Sequence, residues 1–208
     1  MTICHPTATF ALVPVYDLAS IVAQLEARQV PPPAGDEHAA VAAIFRAPRD
    51  HHEAQVLLIR RAERQGDPWS GHMAFPGGKR EETDASLLVT ALRETYEEVG
   101  LDLESHARFV AQMPSVPAMT RSRRGEMLVT PFIFALHTDE HPAFVLSSEV
   151  VETFWVPIGP MARGETSMTF PYVHEGMTLQ LPGFTVYDRV VWGLTHRMLS
   201  MLFAAISG

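Results

Sequence analysis

The sequence predicts an α/β fold in which a mixed β-sheet lies between helices. Three observations carry that expectation. Apolar, partly β-branched runs at 39–46, 54–61, 107–113 and 127–136 read as strands, an amphipathic stretch between the second and third reads as a helix, and a Leu- and Met-rich stretch closes the chain as a second long helix. With 208 residues and 47% hydrophobic content the chain can bury one proper core. The expected organisation is an N-terminal extension over 1–36 and one domain over 37–208.

In chain order, residues 1–15 look extended, with Pro6 and Pro14 against helix. Asp17 can cap a short helix through about Arg28 that carries Leu18, Ile21, Val22 and Leu25. Pro31-Pro32-Pro33-Ala34-Gly35 reads as a linker, so this opening section either packs on the domain or helps form a homodimer. The runs 39–46 and 54–61 read as a hairpin about a polar loop, in which His51 and His52 beside Glu53 could form a metal cluster but, as adjacent histidines on a polar loop, are read as solvated. A long connection and a short strand at 72–75 then deliver the chain into Pro76-Gly77-Gly78, where two glycines let the backbone approach a ligand.

The segment 77–101, GGKREETDASLLVTALRETYEEVGL, is the focus of the chain. Glu94, Glu97 and Glu98 stand at i, i+3 and i+4 and share one helix face, with Leu88, Ala91, Leu92, Thr95 and Val99 on the opposite side. Thr83 or Asp84 is the expected N-cap and Gly100 the stop. A solvated charged face and a divalent-metal site both fit three acids on one face. Arg93 is the obvious local counter-charge, reaching Glu97 at i+4, and oxygen-only ligands favour Mg²⁺ or Mn²⁺ over zinc.

Beyond this helix, the strands 107–113 and 127–136 are joined by a loop with Arg121, Arg123 and Arg124, the densest basic patch in the chain, which could hold phosphates bidentately. Glu149 and Glu152 stand just ahead of the strand-like 154–156. Residues 168–173 and 177–181 form a second expected hairpin, and about 190–206 the closing helix, with Trp192 read as core.

The run R-E-T-Y-E-E-V-G-L at 93–101 resembles the Nudix box, G-x5-E-x7-R-E-U-x-E-E-x-G-U with U aliphatic. The span from Gly78 to Arg93 is one residue longer than the general pattern, Asp84 sits near its first Glu, and Thr95 replaces an aliphatic residue. The longer form resembles that of coenzyme A pyrophosphatases. So does the upstream stretch, where Leu57, Leu58, Arg61, Ala62, Gly71 and Phe75-Pro76-Gly77-Gly78 can be laid on their extra signature, with Ile59 in place of Thr and Arg64 in shifted register. Trp192-Gly193-Leu194-Thr195, with Arg197 and Leu199, resembles their C-terminal end.

The resemblance implies an α/β/α sandwich over about 37–206. It implies Glu94, Glu97 and Glu98 as ligands of Mg²⁺ or Mn²⁺, with the Gly78 carbonyl, and Arg93 as the residue that orients the carboxylates. The general base, or a further ligand, would come from Glu149 or Glu152, and Arg61 with Arg121, Arg123 and Arg124 would bind substrate. The implied reaction is hydrolysis of a nucleoside diphosphate linked to another moiety, coenzyme A or an acyl derivative first, then ADP-ribose, NADH or an oxidised nucleotide. A Nudix-fold module that senses a nucleotide without cleaving it is the alternative of another class.

The formal charge of −8 and a pI near 5.6 argue against a general nucleic-acid binder, since phosphate backbones demand a basic surface. A small phosphate-bearing molecule needs only a few arginines and a metal. Cys4 is the one cysteine, so no intrachain disulfide can form. The N-terminus lacks signal-peptide features, and no apolar run approaches the ~20 residues that span a membrane, so a cytoplasmic protein without membrane association is expected.

Overall fold

The computed structural model describes residues 16–26, 28, 30, 38–49, 52–63, 70–118, 127–138, 140, 143–174 and 176–207. Its elements run α1 (Leu18–Glu26), β1 (His38–Arg46), β2 (Gln55–Arg61), β3 (Met73–Ala74), β4 (Gly77–Lys79), α2 (Leu87–Val99), α3 (Leu103–His106) and β5 (Ala107–Gln112). Then follow β6 (Val116–Ala118), β7 (Met127–Leu136), β8 (Val150–Pro157), α4 (Ile158–Ala162), β9 (Ser167–His174), β10 (Met177–Val186), β11 (Arg189–Trp192) and α5 (Gly193–Ile206). Cys4, the 31–35 linker, His51, Arg64, Arg121, Arg123 and Arg124 lie outside the described residues.

Strand β1 organises the sheet because it is buried on both faces. The two-residue period of a strand sends Ala39, Val41, Ala43 and Phe45 into one hydrophobic cluster and Ala40, Ala42 and Ile44 into another. The first cluster is completed by α1 and α5 and the second by α2 and α3, so the mixed sheet lies between helical layers as expected. The order β3-β2-β1-β7-β5 is antiparallel except for β1 and β7, which run parallel over His38↔Leu128 to Phe45↔Ala135. The expected first hairpin forms, with Phe45↔Val56 and Arg46↔Gln55 in register. In its loop Glu53 is paired with Arg163.

Asp17 caps α1 as anticipated, its Oδ1 accepting the Ser20 N–H at 2.9 Å. Ile21, Val22 and Leu25 are buried in the same core as α5, each worth about 1.5–3 kcal/mol against exposure. Arg28 Nη2 donates to the Ala205 carbonyl at 2.7 Å, and Arg108 pairs with Glu26 at 2.7 Å. In the described residues, therefore, the opening section packs on the domain.

Three expectations need correction. Helix α2 begins later than anticipated and is capped by Ser86, whose Oγ accepts the Val89 N–H at 3.3 Å, rather than by Thr83 or Asp84. The second hairpin is longer, and residues 189–192 form β11, which closes a separate three-stranded sheet β11-β10-β9 before α5 starts at Gly193. Trp192 is only half-buried, on one face of that small sheet. The stop at Gly100 holds, with φ 70° and its N–H donating to the Tyr96 carbonyl. Among the described residues no helix is long and apolar enough to cross a membrane.

Candidate active site

The glycine pair and the acidic helix meet because β4 lies on β1, with Ala40↔Gly78 and Val41↔Gly77 in register. Gly77 has φ 150°, and a Cβ there would overlap the Ala40 carbonyl oxygen, so the position is closed to any side chain. At Gly78 a Cβ would occupy the place of the Glu94 carboxylate. The bare glycine strand is thus the floor on which the acids of α2 rest.

The acidic face does not point wholly away from the packing face, contrary to the helical-wheel expectation. Glu98 is 4% exposed and shares the buried side of α2 with Thr95 and Val99. Its Oε2 accepts the Gly77 N–H at 2.9 Å, and its Oε1 lies 3.9 Å from Arg61 Nη1. Burial pushes the Glu98 carboxyl up to about 7 despite those two partners, with Glu94 and Glu149 adding repulsion. Glu94 is also raised, chiefly by burial, against the opposing pull of Arg93. Thr95 is tolerated where an aliphatic residue was expected because its Oγ1 donates to the Ala91 carbonyl at 2.7 Å.

Arg93 is the hub. It donates through Nε to Asp84 Oδ1 and through Nη2 to Asp84 Oδ2, each at 3.0 Å, while Nη2 also reaches the Lys79 carbonyl at 3.1 Å. Its Nη1 stands 3.0 Å from Glu97 Oε2 and 3.1 Å from Glu94 Oε1. The expected contact to Glu97 is present, but the bidentate grip on buried Asp84 was missed, because the two residues lie nine positions apart and the link passes through a turn. The Arg93 bond holds the Asp84 carboxyl well below the usual carboxylate range, and Asp84 also accepts from Glu81 N–H and Thr90 Oγ1.

The two glutamates outside the helix separate. The loop before β8 is pinned to the last turn of α2 by Val145 N–H to the Val99 carbonyl and Ser147 N–H to the Glu98 carbonyl, both 3.0 Å. The Glu149 carbonyl accepts the Ala62 N–H at 2.7 Å, next to Arg61, and its charge acts on both Glu94 and Glu98. Glu152 lies in β8 opposite Arg60, on the strand face shared with Phe154 that packs away from α2, and its carboxylate is 3.5 Å from Arg189. The fold brings Glu149 to the acidic cluster and does not bring Glu152.

These residues fit a hard divalent cation. Glu94 and Glu98 are withdrawn from water, repel each other and Glu149, and flank a glycine whose missing Cβ leaves space at the carboxylate. Glu97 is turned to Arg93 and exposed, and among the described residues no three acidic or His side chains already close on one point. A cavity of about 470 Å³ opens beside the start of α2, lined by His38, Arg80, Ser86, Phe109 and Gln112 among others, and none of the carboxylates lines it.

Residues 36–168 match the NUDIX domain. An uncharacterised protein of Schizosaccharomyces pombe is 43% identical over 115 residues, covering 53% of this chain and 34% of its own length. A peroxisomal coenzyme A diphosphatase of Caenorhabditis elegans is 31% identical over 155 residues, covering 74% of this chain and 62% of its own. The chain thus spans between a third and two thirds of the length of these two relatives. Among solved structures, a MutT/nudix family protein from Enterococcus faecalis superposes with a TM-score of 0.56 at 18% identity, over 92% of this chain and 70% of that one, a likeness of fold.

Proposed function

The chain belongs to the Nudix family, and we propose that it hydrolyses the diphosphate bridge of a nucleoside diphosphate linked to another moiety, with coenzyme A or an acyl derivative as the leading substrate. The observation that carries the reading is Glu98, a carboxylate 4% exposed beside Glu94 with too few donors to carry its charge. An acid kept in that state is expensive unless a ligand completes it.

Glu94, Glu97 and Glu98 would hold Mg²⁺ or Mn²⁺ with the Gly78 carbonyl. When bound, the cation supplies positive charge to the diphosphate and the leaving oxygen and lowers the cost of generating hydroxide from water. Arg93, fixed by Asp84, keeps Glu94 and Glu97 aimed at one region. Glu149 takes the proton of the attacking water, a role Glu152 cannot share from the far face of β8. Arg61, beside Glu98, binds a phosphoryl oxygen. Arg121, Arg123 and Arg124 keep the phosphate-binding role expected from sequence.

The choice of coenzyme A is supported by the upstream residues Leu57, Leu58, Arg61 and Gly71 and by similarity to the C. elegans coenzyme A diphosphatase. Incubation with coenzyme A, acyl-coenzyme A, ADP-ribose, NADH and an oxidised nucleotide, followed by mass spectrometry, tests it. Release of 3′,5′-ADP and a phosphopantetheine is the expected result; efficient cleavage of ADP-ribose with none of coenzyme A would overturn the substrate assignment.

A further inference from the structure

The small sheet β11-β10-β9 has two unlike faces. Phe184, Val186 and Val191 enter the core, whereas the alternate positions, Phe170 and Tyr172 on β9, Leu179 on β10 and Trp192 on β11, lie on the other face by the register Tyr172↔Leu179 and Gly183↔Trp192. On that face Trp192 gathers an aromatic cluster: Phe170 stacks at 5.1 Å, Tyr172 lies at 4.9 Å and His72 meets its ring at 4.5 Å. The face then continues outward to Leu179 and Met177, which are 41% and 61% exposed.

This apolar strip is linked to the proposed site through His72 and Arg61. The His72 carbonyl accepts the Arg61 N–H at 3.0 Å, and Arg61 Nη1 is 3.9 Å from Glu98. Two residues therefore separate the buried carboxylate from the Trp192 ring. From Gly183 to Met177 the strip advances about 20 Å at ~3.3 Å per residue. Among the described residues strand β9 pairs only with β10, so it is an edge strand there, with an outward row of amide and carbonyl groups beside the apolar face. Exposed apolar residues on a two-stranded ribbon that begins beside His72 and Arg61 call for an occupant of matching chemistry.

We propose that this face seats the non-nucleotide arm of the substrate, an acylated pantetheine chain, with the acyl end over Leu179 and Met177, the arm's amides along β9 and its phosphate end at Arg61. An arm that is apolar in part and amide-bearing in part suits a surface that offers both. The inference rests on the diphosphate reading above, and deepens it by assigning the substrate class to named residues.

The test uses the full chain and S-octanoylpantetheine, which carries the arm and no phosphate. Calorimetry should detect binding to the parent and about tenfold weaker binding to Leu179→Asp, since one leucine contact is lost and a charge is placed on the face. Leu179 is exposed, so the melting temperature should stay put, and Met177→Ser gives a second variant that keeps the chain neutral there. Binding that is absent in the parent, or as tight in both variants as in the parent, would overturn the proposal. So would a parent dimer that Leu179→Asp dissociates while arm binding persists, because the face would then be covered by a second copy. Arm binding lost in the variants, together with a parent that cleaves no diphosphate, would leave this assignment standing and remove the reading beneath it.

Discussion

Arg93 grips Asp84 through two parallel hydrogen bonds, Nε to Oδ1 and Nη2 to Oδ2, both 3.0 Å, with Asp84 3% exposed. That pair, and not the N-cap, is what Asp84 contributes. It turns the loop ahead of α2 into a fixed mount for the guanidinium that faces Glu94 and Glu97.

Asp84→Asn breaks a buried pair and leaves Arg93 without its anchor, so a loss of about 3 kcal/mol in stability is expected. The pH dependence carries the same signature. The folded Asp84 pKa lies below its unfolded value, so the stabilisation is complete above about pH 4 and is lost as pH falls through the lower folded value. Melting curves between pH 5 and 3 should fall more steeply for the parent than for Asp84→Asn. Parallel curves would show that the pair does not carry this stability.

Glu98 has the opposite sign. Its folded pKa of about 7 lies above the unfolded value near 4.5, so between those limits the folded state holds a proton that the unfolded state has lost. Without metal, stability from this group falls as pH rises from about 4.5 to 7. A divalent cation that takes the ionised carboxylate should stabilise the protein more at pH 7.5 than at pH 5.5 and release protons on binding. Calorimetry in buffers of different ionisation enthalpy measures that release, which Glu98→Gln should abolish.

The adjacent glycines should fail in different ways. In Gly77→Ala the new Cβ meets the Ala40 backbone at a positive φ, and the chain should lose stability. In Gly78→Ala the three atoms nearest the Cβ all belong to the end of the Glu94 side chain rather than to backbone, so the fold should persist while metal-dependent turnover drops at least about 100-fold. Melting temperature and turnover measured on both variants separate the two effects; equal loss of stability would mean that Glu94 cannot move aside.

Much of this was legible in the sequence. The period of 39–46 and 54–61, the spacing of Glu94, Glu97 and Glu98, and Gly100 each specify their structure locally. The site was legible only in outline. A helical wheel places Glu98 outside, and among the described residues the Gly77 N–H and Arg61, brought from two other strands, make its burial tolerable. The Asp84 to Arg93 pair and the separation of Glu149 from Glu152 likewise depend on a turn and a strand register that no local window contains. Trp192 read as core because strand β11 is only four residues long and runs straight into the Leu- and Met-rich pattern of α5.

The buried carboxylate of Glu98 is the centre of the proposed metal-dependent hydrolytic site. The direct measurement is Mg²⁺- or Mn²⁺-dependent turnover of a diphosphate that the parent cleaves, compared with Glu98→Gln at equal melting temperature or above. A loss of about 100-fold or more is expected, because the variant keeps the shape and removes the charge. Turnover within a few-fold of the parent, in a variant that remains folded, would contradict the role proposed for Glu98.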